Sequence, residues 1–314
     1  MDINQILDRA SKLKIAVIGD LIIDHYIYGT VDRISPEAPV PVLVRGDMKT
    51  TLGGAGNVLM NLIGLGVDAE LFCNFIGNPF WDPILYDKIH CHEYPGSIKT
   101  RVMCGNHHLL RIDEEIPWKQ LSFLNANQFS WWQDFMDRFL TFDVIILSDY
   151  NKGVCSDSVA TTVKALQVMA RGDNKFIRLI ADAKRDYSKY RGYDILKCNK
   201  KEAEDNHVFE IEGLDILKSI SWTVVTLGDE GILALSHPKE GWGNFTEIMS
   251  LGHKVNIVDV CGAGDTVTAA LSIMLPEAYS IEEAMDLANI AASEVCKYPG
   301  VVPITKDLLL KRME

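Results

Sequence analysis

The stretch Val258-Asp-Val-Cys-Gly-Ala-Gly-Asp-Thr266 joins an apolar run to a helix of small residues expected over Gly262–Leu275. Glycines at 262 and 264 let the backbone turn tightly, and the free amides that open the helix form a site for an anion. Asp265 sets a carboxylate in that positive field. An isolated Gly-x-Gly-Asp is more often a capped helix start and nothing else. Phosphoryl transfer gains support only from the residues around it.

Several stretches supply that support. Leu52-Gly-Gly-Ala-Gly-Asn57 precedes an apolar helix, so Gly53 and Gly54 let the backbone approach a ligand and Asn57 can bond hydroxyls; a plain helix entry fits equally well. Asp24 and Asp149 each follow an apolar strand, where the carboxyl ends of a parallel sheet open on a ligand crevice. Asn199-Lys-Lys-Glu202 could hold a hydrated Mg²⁺ beside phosphates, or simply form a capping box. Thr226-Leu-Gly-Asp-Glu-Gly231 suits a nucleotide contact or a hairpin.

Short β-branched runs alternate with amphipathic stretches, the pattern of an α/β fold with a mostly parallel sheet between helices. Strands are expected over 14–19, 69–75, 143–148, 176–181, 194–197 and 222–227, and helices over 57–65, 121–140, 156–171 and 200–206. The carboxyl third, 262–275, 281–297 and 305–311, is expected to be helical. Two segments break the rhythm, near 25–45 with Pro36, Pro39 and Pro41, and near 99–113. They are expected to form a small β lid on a single domain spanning 1–314, with its open edge covered in a homodimer.

Composition narrows the field. The 314 residues carry 31 Lys plus Arg against 43 Asp plus Glu, a net charge of −12 that opposes binding to nucleic acid or an anionic membrane. Seven scattered cysteines without a C-x-x-C pair suit free thiols. No secretion signal and no apolar run of about 18 residues is present, so the expected location is cytoplasmic. Walker, dinucleotide and nucleophile-elbow motifs are missing. His90-Cys91-His92 and His107-His108 lack the second ligand cluster usual for structural zinc.

Taken in order, Gly53-Gly-Ala-Gly-Asn57, Asn199-x-x-Glu202 and Asp259-x-x-Gly-Ala-Gly-Asp265 resemble the ribokinase-like (phosphofructokinase-B) carbohydrate kinase superfamily over almost the full chain. A narrower set, Arg33-Ile-Ser-Pro-Glu-Ala-Pro-Val-Pro-Val42, Lys99-Thr-Arg-Val102, Leu147-Ser-Asp-Tyr-Asn-Lys-Gly153 and Asp186-Tyr-Ser-Lys-Tyr-Arg-Gly192, is similar to D-glycero-β-D-manno-heptose-7-phosphate 1-kinases. That group occurs alone or as the amino-terminal half of a bifunctional lipopolysaccharide-precursor enzyme; with no second half after Glu314, the kinase step alone is expected.

The resemblance implies a three-layer sandwich and an ATP- and Mg²⁺-dependent kinase acting on the anomeric hydroxyl of a sugar phosphate. It makes Asp265 the catalytic base and the amides of Gly262, Ala263 and Gly264 the anion hole. Asp24, Gly53, Gly54, Asn57 and Asp149 would hold sugar hydroxyls. Lys184, Asn199, Glu202, Thr226, Gly228 and Gly231 would line the nucleotide, with Mg²⁺ near Asn199 and Glu202, and K⁺ near Asp259. A sugar phosphate approaching so acidic a protein needs local cations, for which Arg33, Lys99, Arg101, Arg111, Lys152 and Lys184 are candidates.

Three departures bear on the sugar. Cys261 stands where the family has Thr or Ser, Asp182-Ala-Lys184 replaces Asp-Pro-Lys, and residues 77–97 look compressed. Alternatives are a kinase of hexose phosphate, ribose or nucleoside, or a non-catalytic sugar-phosphate binder.

Overall fold

A computed structural model describes residues 2–75, 83–93, 96–105, 107–115, 125–210, 218–236, 246–276 and 279–312. Helix α1 (Ile3–Ala10) precedes β1 (Lys14–Gly19), and β2 (Leu21–Ile34) and β3 (Pro41–Gly54) form a long hairpin. Then come α2 (Ala55–Gly64), β4 (Asp68–Asn74), β5 (Ile89–His92), β6 (Ser97–Cys104), β7 (His107–Glu114) and α3 (Trp132–Arg138). The order continues with β8 (Val144–Asp149), α4 (Asp157–Gly172), β9 (Arg178–Ala183), β10 (Ile195–Asn199), α5 (Lys200–Asp205) and β11 (Trp222–Thr226). Strands β12 (Gly231–Ser236) and β13 (Thr246–Leu251) and helices α6 (Ala263–Met274), α7 (Ile281–Val295) and α8 (Lys306–Lys311) complete it.

The apolar strands need cover on both faces, and they receive it. On β1, Ile15 and Val17 pack with α1, α2, α6 and α7, while Ala16 and Ile18 face the layer of α3 and α4. The main sheet runs β13-β12-β11-β10-β9-β8-β1-β4-β5, parallel from β5 to β11 and closed by the antiparallel pairs β11–β12 and β12–β13. Strand order reverses at β1 and β8, where an open α/β sheet leaves a crevice at its carboxyl ends. The architecture is an α/β sandwich around a mostly parallel sheet.

The two aberrant segments belong to a second sheet of order β3-β2-β6-β7, parallel only between β2 and β6. Strand β2 leaves the core at its buried start and becomes exposed toward Ile34, and β7 is exposed throughout. Register decides its two faces. Asp24, Lys99 and Asp113 form one row and Tyr26, Arg101 and Arg111 the next, all on one side. The other side carries the row Met48, Ile27, Val102 and Leu110.

Some elements differ from expectation. Strands β5, β12 and β13 are additional. The helix expected over 121–140 contracts to α3 flanked by 3₁₀ turns at Ala126–Gln128 and Phe139–Thr141, its first residues lying outside the described ones. Phe129, Trp131 and Trp132 pack inward together there, which a regular solvent-facing helix would not allow. Of the compressed stretch, 77–82 and 94–95 lie outside the described residues, and Pro83–Lys88 is a 3₁₀ turn.

Candidate active site

Helix α6 starts at the crevice. Gly262 caps it with φ +81°, a conformation that side chains rarely adopt, and a Cβ there would lie 2.5 Å from Asn57 Nδ2. The space a side chain would fill is the space through which α2 reaches α6. Asn57 donates to Asp265 Oδ2 at 2.8 Å and more weakly to the Gly262 carbonyl at 3.3 Å. Asn61, one turn on, bonds the Asn57 side chain and is itself fixed by Thr266 and the Ile304 amide.

Asp265 is 4% exposed. Burial, then the nearby Asp182 carboxylate, push its pKa up to about 6, against the hydrogen bonds from Tyr150 and Asn57 and the charge of Lys197. A carboxyl at that level is ionised at neutral pH and more basic than an exposed aspartate, as a general base requires. Tyr150 Oη donates to Asp265 Oδ1 at 2.6 Å.

Beneath the helix start, the Lys197 ammonium lies 3.0 Å from both Asp182 oxygens, and Thr268 donates to the same carboxylate. Strand alternation explains this grouping. Asp182 and Lys197 point to the α6 side with Ile180 and Ile195. Asp149 points the other way, with Ile145 and Leu147.

Two cavities meet at this point. One, of about 620 Å³, is lined by Tyr150, Lys184, Lys197, Asn199, Lys200, Lys201, Gly262, Gly264 and Asp265 among others. The second, of about 540 Å³, is mainly apolar, with Ile232, Val255, Ile257, Val267, Ala292 and Cys296 in its wall. They share Thr226, Gly228, Val260 and Gly264, so a flat apolar group in one and phosphates in the other can belong to one ligand. Gly231 and Ala263 line the apolar cavity.

Asn199 and Glu202 form a reciprocal capping box at the start of α5, both bonds 2.8 Å long. The other Glu202 oxygen pairs with Lys184 at 2.7 Å. Burial works against the Lys184 charge, but Asp182 and Glu202 outweigh it and hold its pKa above the ordinary lysine value. Among the described residues no group of three His, Cys, Asp or Glu is placed to hold a metal ion. The donor set fits Mg²⁺ brought in on phosphates and met through water by Glu202, and does not fit a cage built by the protein.

Other expected residues divide clearly. The structure brings together Asp24, Gly53, Lys99 and Arg101: Arg101 pairs with Asp24, and a Cβ on Gly53 would strike Asp24 Oδ2 at 2.2 Å. Both Arg101 and Asp24 act electrostatically on Cys261, so this face of the small sheet looks onto the loop that leads into α6. Gly54 closes the β3–α2 junction over the Asp20 carbonyl.

Asn57, expected on the sugar, instead spends its amide donors on Asp265 and Gly262. Asp149, expected there too, accepts from Tyr190, Lys189 and the Asn151 amide, because it faces the opposite layer. Lys152 pairs with Glu115 at 2.6 Å, and Arg111 with Asp113 at 2.8 Å. Arg33 sits at the exposed end of β2, opposite Val42, and lines neither cavity. Asp259 accepts from the Cys261 and Gly300 amides, which outweigh burial and lower its pKa.

Sequence reasoning passed over Tyr150, Asp182, Lys197 and Asp20. Asp20 accepts the amides of Tyr150, Lys152 and Val154 and so shapes the loop after β8. Burial, then Asp149, lift its pKa to about 7. Its position directly after Gly19, at a strand end, was the available signal.

Comparison with known proteins agrees with this geometry. Residues 122–307, more than half of the chain, match the model of the pfkB family carbohydrate kinases. "Bifunctional protein HldE" of a Nitratiruptor species is 33% identical over 308 residues, covering 94% of this chain and 64% of that protein. Its namesake in Methylobacillus flagellatus is 35% identical over 324 residues, covering 96% and 63%. The chain thus spans a little under two thirds of the length of these relatives.

Among solved structures, Arabidopsis thaliana ribokinase complexed with ribose and ATP aligns with a TM-score of 0.66 at 17% identity over 96% of this chain and 98% of that one. Giardia lamblia ribokinase aligns with a TM-score of 0.69 at 15% identity over 96% and 99%. No helix among the described residues is long and apolar enough to cross a membrane. The chain belongs to the pfkB family of carbohydrate kinases and has a ribokinase-like fold.

Proposed function

We propose that the chain transfers the γ-phosphoryl group of ATP to the anomeric hydroxyl of D-glycero-β-D-manno-heptose 7-phosphate, giving the 1,7-bisphosphate. The observation that carries this reading is the buried Asp265 carboxylate at the start of α6, with a cation-lined cavity on one side and the Asp24–Arg101 pair of the small sheet nearby. The heptose-kinase resemblance of the segments holding Lys99, Arg101 and Tyr150 supplies the acceptor.

In this reading the apolar cavity takes the base of ATP, and Lys184, Lys197 and the 262–264 amides face its phosphates. Asp265 removes the proton from the acceptor hydroxyl as oxygen bonds to the γ-phosphorus and the bond to the β-phosphate oxygen breaks. The loose transition state of such transfers is stabilised mainly by positioning and by fixed positive charge. Bound Mg²⁺ supplies charge neutralisation at the β- and γ-phosphates, and Asn199 and Glu202 would hold its water. Lys99 and Arg101, in neighbouring rows of that face, meet the acceptor's phosphate in this reading.

A panel of sugar phosphates, free sugars and nucleosides, assayed by ADP release with the product position read by phosphorus NMR, tests the proposal. Heptose 7-phosphate should give the highest kcat/KM, with the new phosphate on the anomeric carbon. Faster turnover of a hexose phosphate, ribose or a nucleoside would overturn the acceptor. Replacing K⁺ with Na⁺ in the same assay tests a monovalent cation at the loop closed by Asp259.

The same reading includes a homodimer through the small sheet, since Met48, Leu110 and Ile112 on its apolar side are 44%, 56% and 46% exposed.

A further inference from the structure

We infer that Tyr150 is a positioning residue for the catalytic base, aiming the Asp265 carboxylate and limiting its basicity through the phenol hydrogen bond. The inference rests on the assignment of Asp265 as base in the proposed function, and not on the identity of the sugar.

The geometry is specific. Tyr150 Oη donates to Asp265 Oδ1 at 2.6 Å, while Asn57 Nδ2 donates to Oδ2 at 2.8 Å. One donor on each oxygen fixes the carboxylate plane and leaves the remaining lone pairs for an incoming hydroxyl. The tyrosine is held at its backbone and at its ring. Its amide is bound by Asp20 Oδ2 at 2.9 Å, the Lys184 ammonium lies 4.6 Å from its ring centre, and Lys184 is tied to Glu202. Tyr150 also lines the cation-rich cavity, so it borders the reacting centre instead of packing in a distant core.

Chemistry gives the bond a role. A phenol whose pKa is raised by burial and by Asp265 itself stays protonated and can only donate to the carboxylate. Donation favours the ionised acid, so it opposes the rise that burial and Asp182 produce. The groups facing Asp265 are Asn57 from α2, Tyr150 from the loop after β8, Asp182 from β9 and Lys197 from β10, with the charge of Lys184 nearby. Among them, Tyr150 and Asn57 are the hydrogen-bond donors to its carboxylate. A base held this way is ready at neutral pH and directed at one point.

The test is the pH profile of kcat for the full chain with saturating ATP and the best acceptor of the panel. Tyr150→Phe keeps the ring over Lys184 and removes the donor. It should lower kcat about tenfold while changing the KM for ATP no more than about twofold. The acid limb, near pH 6 in the parent enzyme, should move upward by roughly half a pH unit or more.

Incorporating 2,3-difluorotyrosine at position 150 gives a stronger donor at the same place and should move the limb downward. An acid limb that stays put in either variant overturns the inference, even where kcat falls. Should circular dichroism show Tyr150→Phe unfolded, the fluorinated residue decides alone. Asp265→Asn, run alongside, separates the two levels. Activity within tenfold of the parent there refutes the base assignment itself; an inactive Asp265→Asn beside an unaltered Tyr150→Phe refutes only the role of Tyr150.

Discussion

Asn57 Nδ2 donates to Asp265 Oδ2 at 2.8 Å, joining residues 208 positions apart. The bond ties the helix that follows the small-sheet hairpin to the helix that carries Asp265.

Losing the base should be decisive for activity and mild for the fold. Asp265→Asn should reduce kcat by about a thousandfold or more, measured as ADP release, with far-ultraviolet circular dichroism unchanged. Activity within tenfold of the parent would end its assignment as base.

The same substitution should raise stability at neutral pH. Burial and Asp182 lift the folded pKa of Asp265 to about 6 from 3.8, so the native state binds the proton more tightly than the unfolded chain. The advantage is complete below the unfolded value and is lost as pH rises through 6. Ionised Asp265 therefore costs on the order of 2–3 kcal/mol at pH 7. Urea melts should show Asp265→Asn more stable than the parent at pH 7 and nearly equal at pH 4. An equal or lower midpoint at pH 7 would contradict this.

Gly262→Ala tests the close approach of α2. The new methyl meets Asn57 Nδ2 in a backbone conformation of φ +81°, so the Asn57–Asp265 bond must break or the helix start must shift. A loss of about 1–3 kcal/mol and a fall in kcat of about tenfold or more are expected from melts and turnover.

Arg101→Ala should act on the acceptor side alone. It strips Asp24 of its ion partner and removes a cation from the face looking onto the loop that leads into α6. The KM for the sugar phosphate should rise about tenfold or more, while the KM for ATP stays within about twofold. Equal effects on both would place Arg101 elsewhere in the reaction.

Leu110→Asp with Ile112→Asp puts charge on the apolar side of the small sheet. Light scattering should give a dimer for the parent and a monomer for the double variant. A parent that is monomeric at micromolar concentration would refute the dimer.

Much of this molecule is legible because two-sided burial writes unbroken apolar runs into β1 and β8, and because tight turns demand glycine at 262. Edge strand β13 escapes because its exposed residues leave no apolar run, and β12, buried beside it, starts directly at the Gly228–Gly231 turn that reads equally well as a nucleotide contact. At the site, glycine and aspartate spacing indicates Asp265, but nothing in the spacing separates Asp149 from Asp182. Only the alternation of β8 and β9 sends one to each face of the sheet. Asn57 stands out by its motif, yet its role does not, since its partner is a long-range contact. Arg33 and Arg111 carry charge that the small sheet holds away from the cavities or commits to Asp113.

The junction at Gly53-Gly54 has a mechanical meaning. Strand β3 runs straight into α2, and α2 carries Asn57. The small sheet and the Asp265 carboxylate are therefore joined by one continuous stretch of chain and a single hydrogen bond, and any displacement of β3 at Gly54 is carried by α2 to the Asn57 amide.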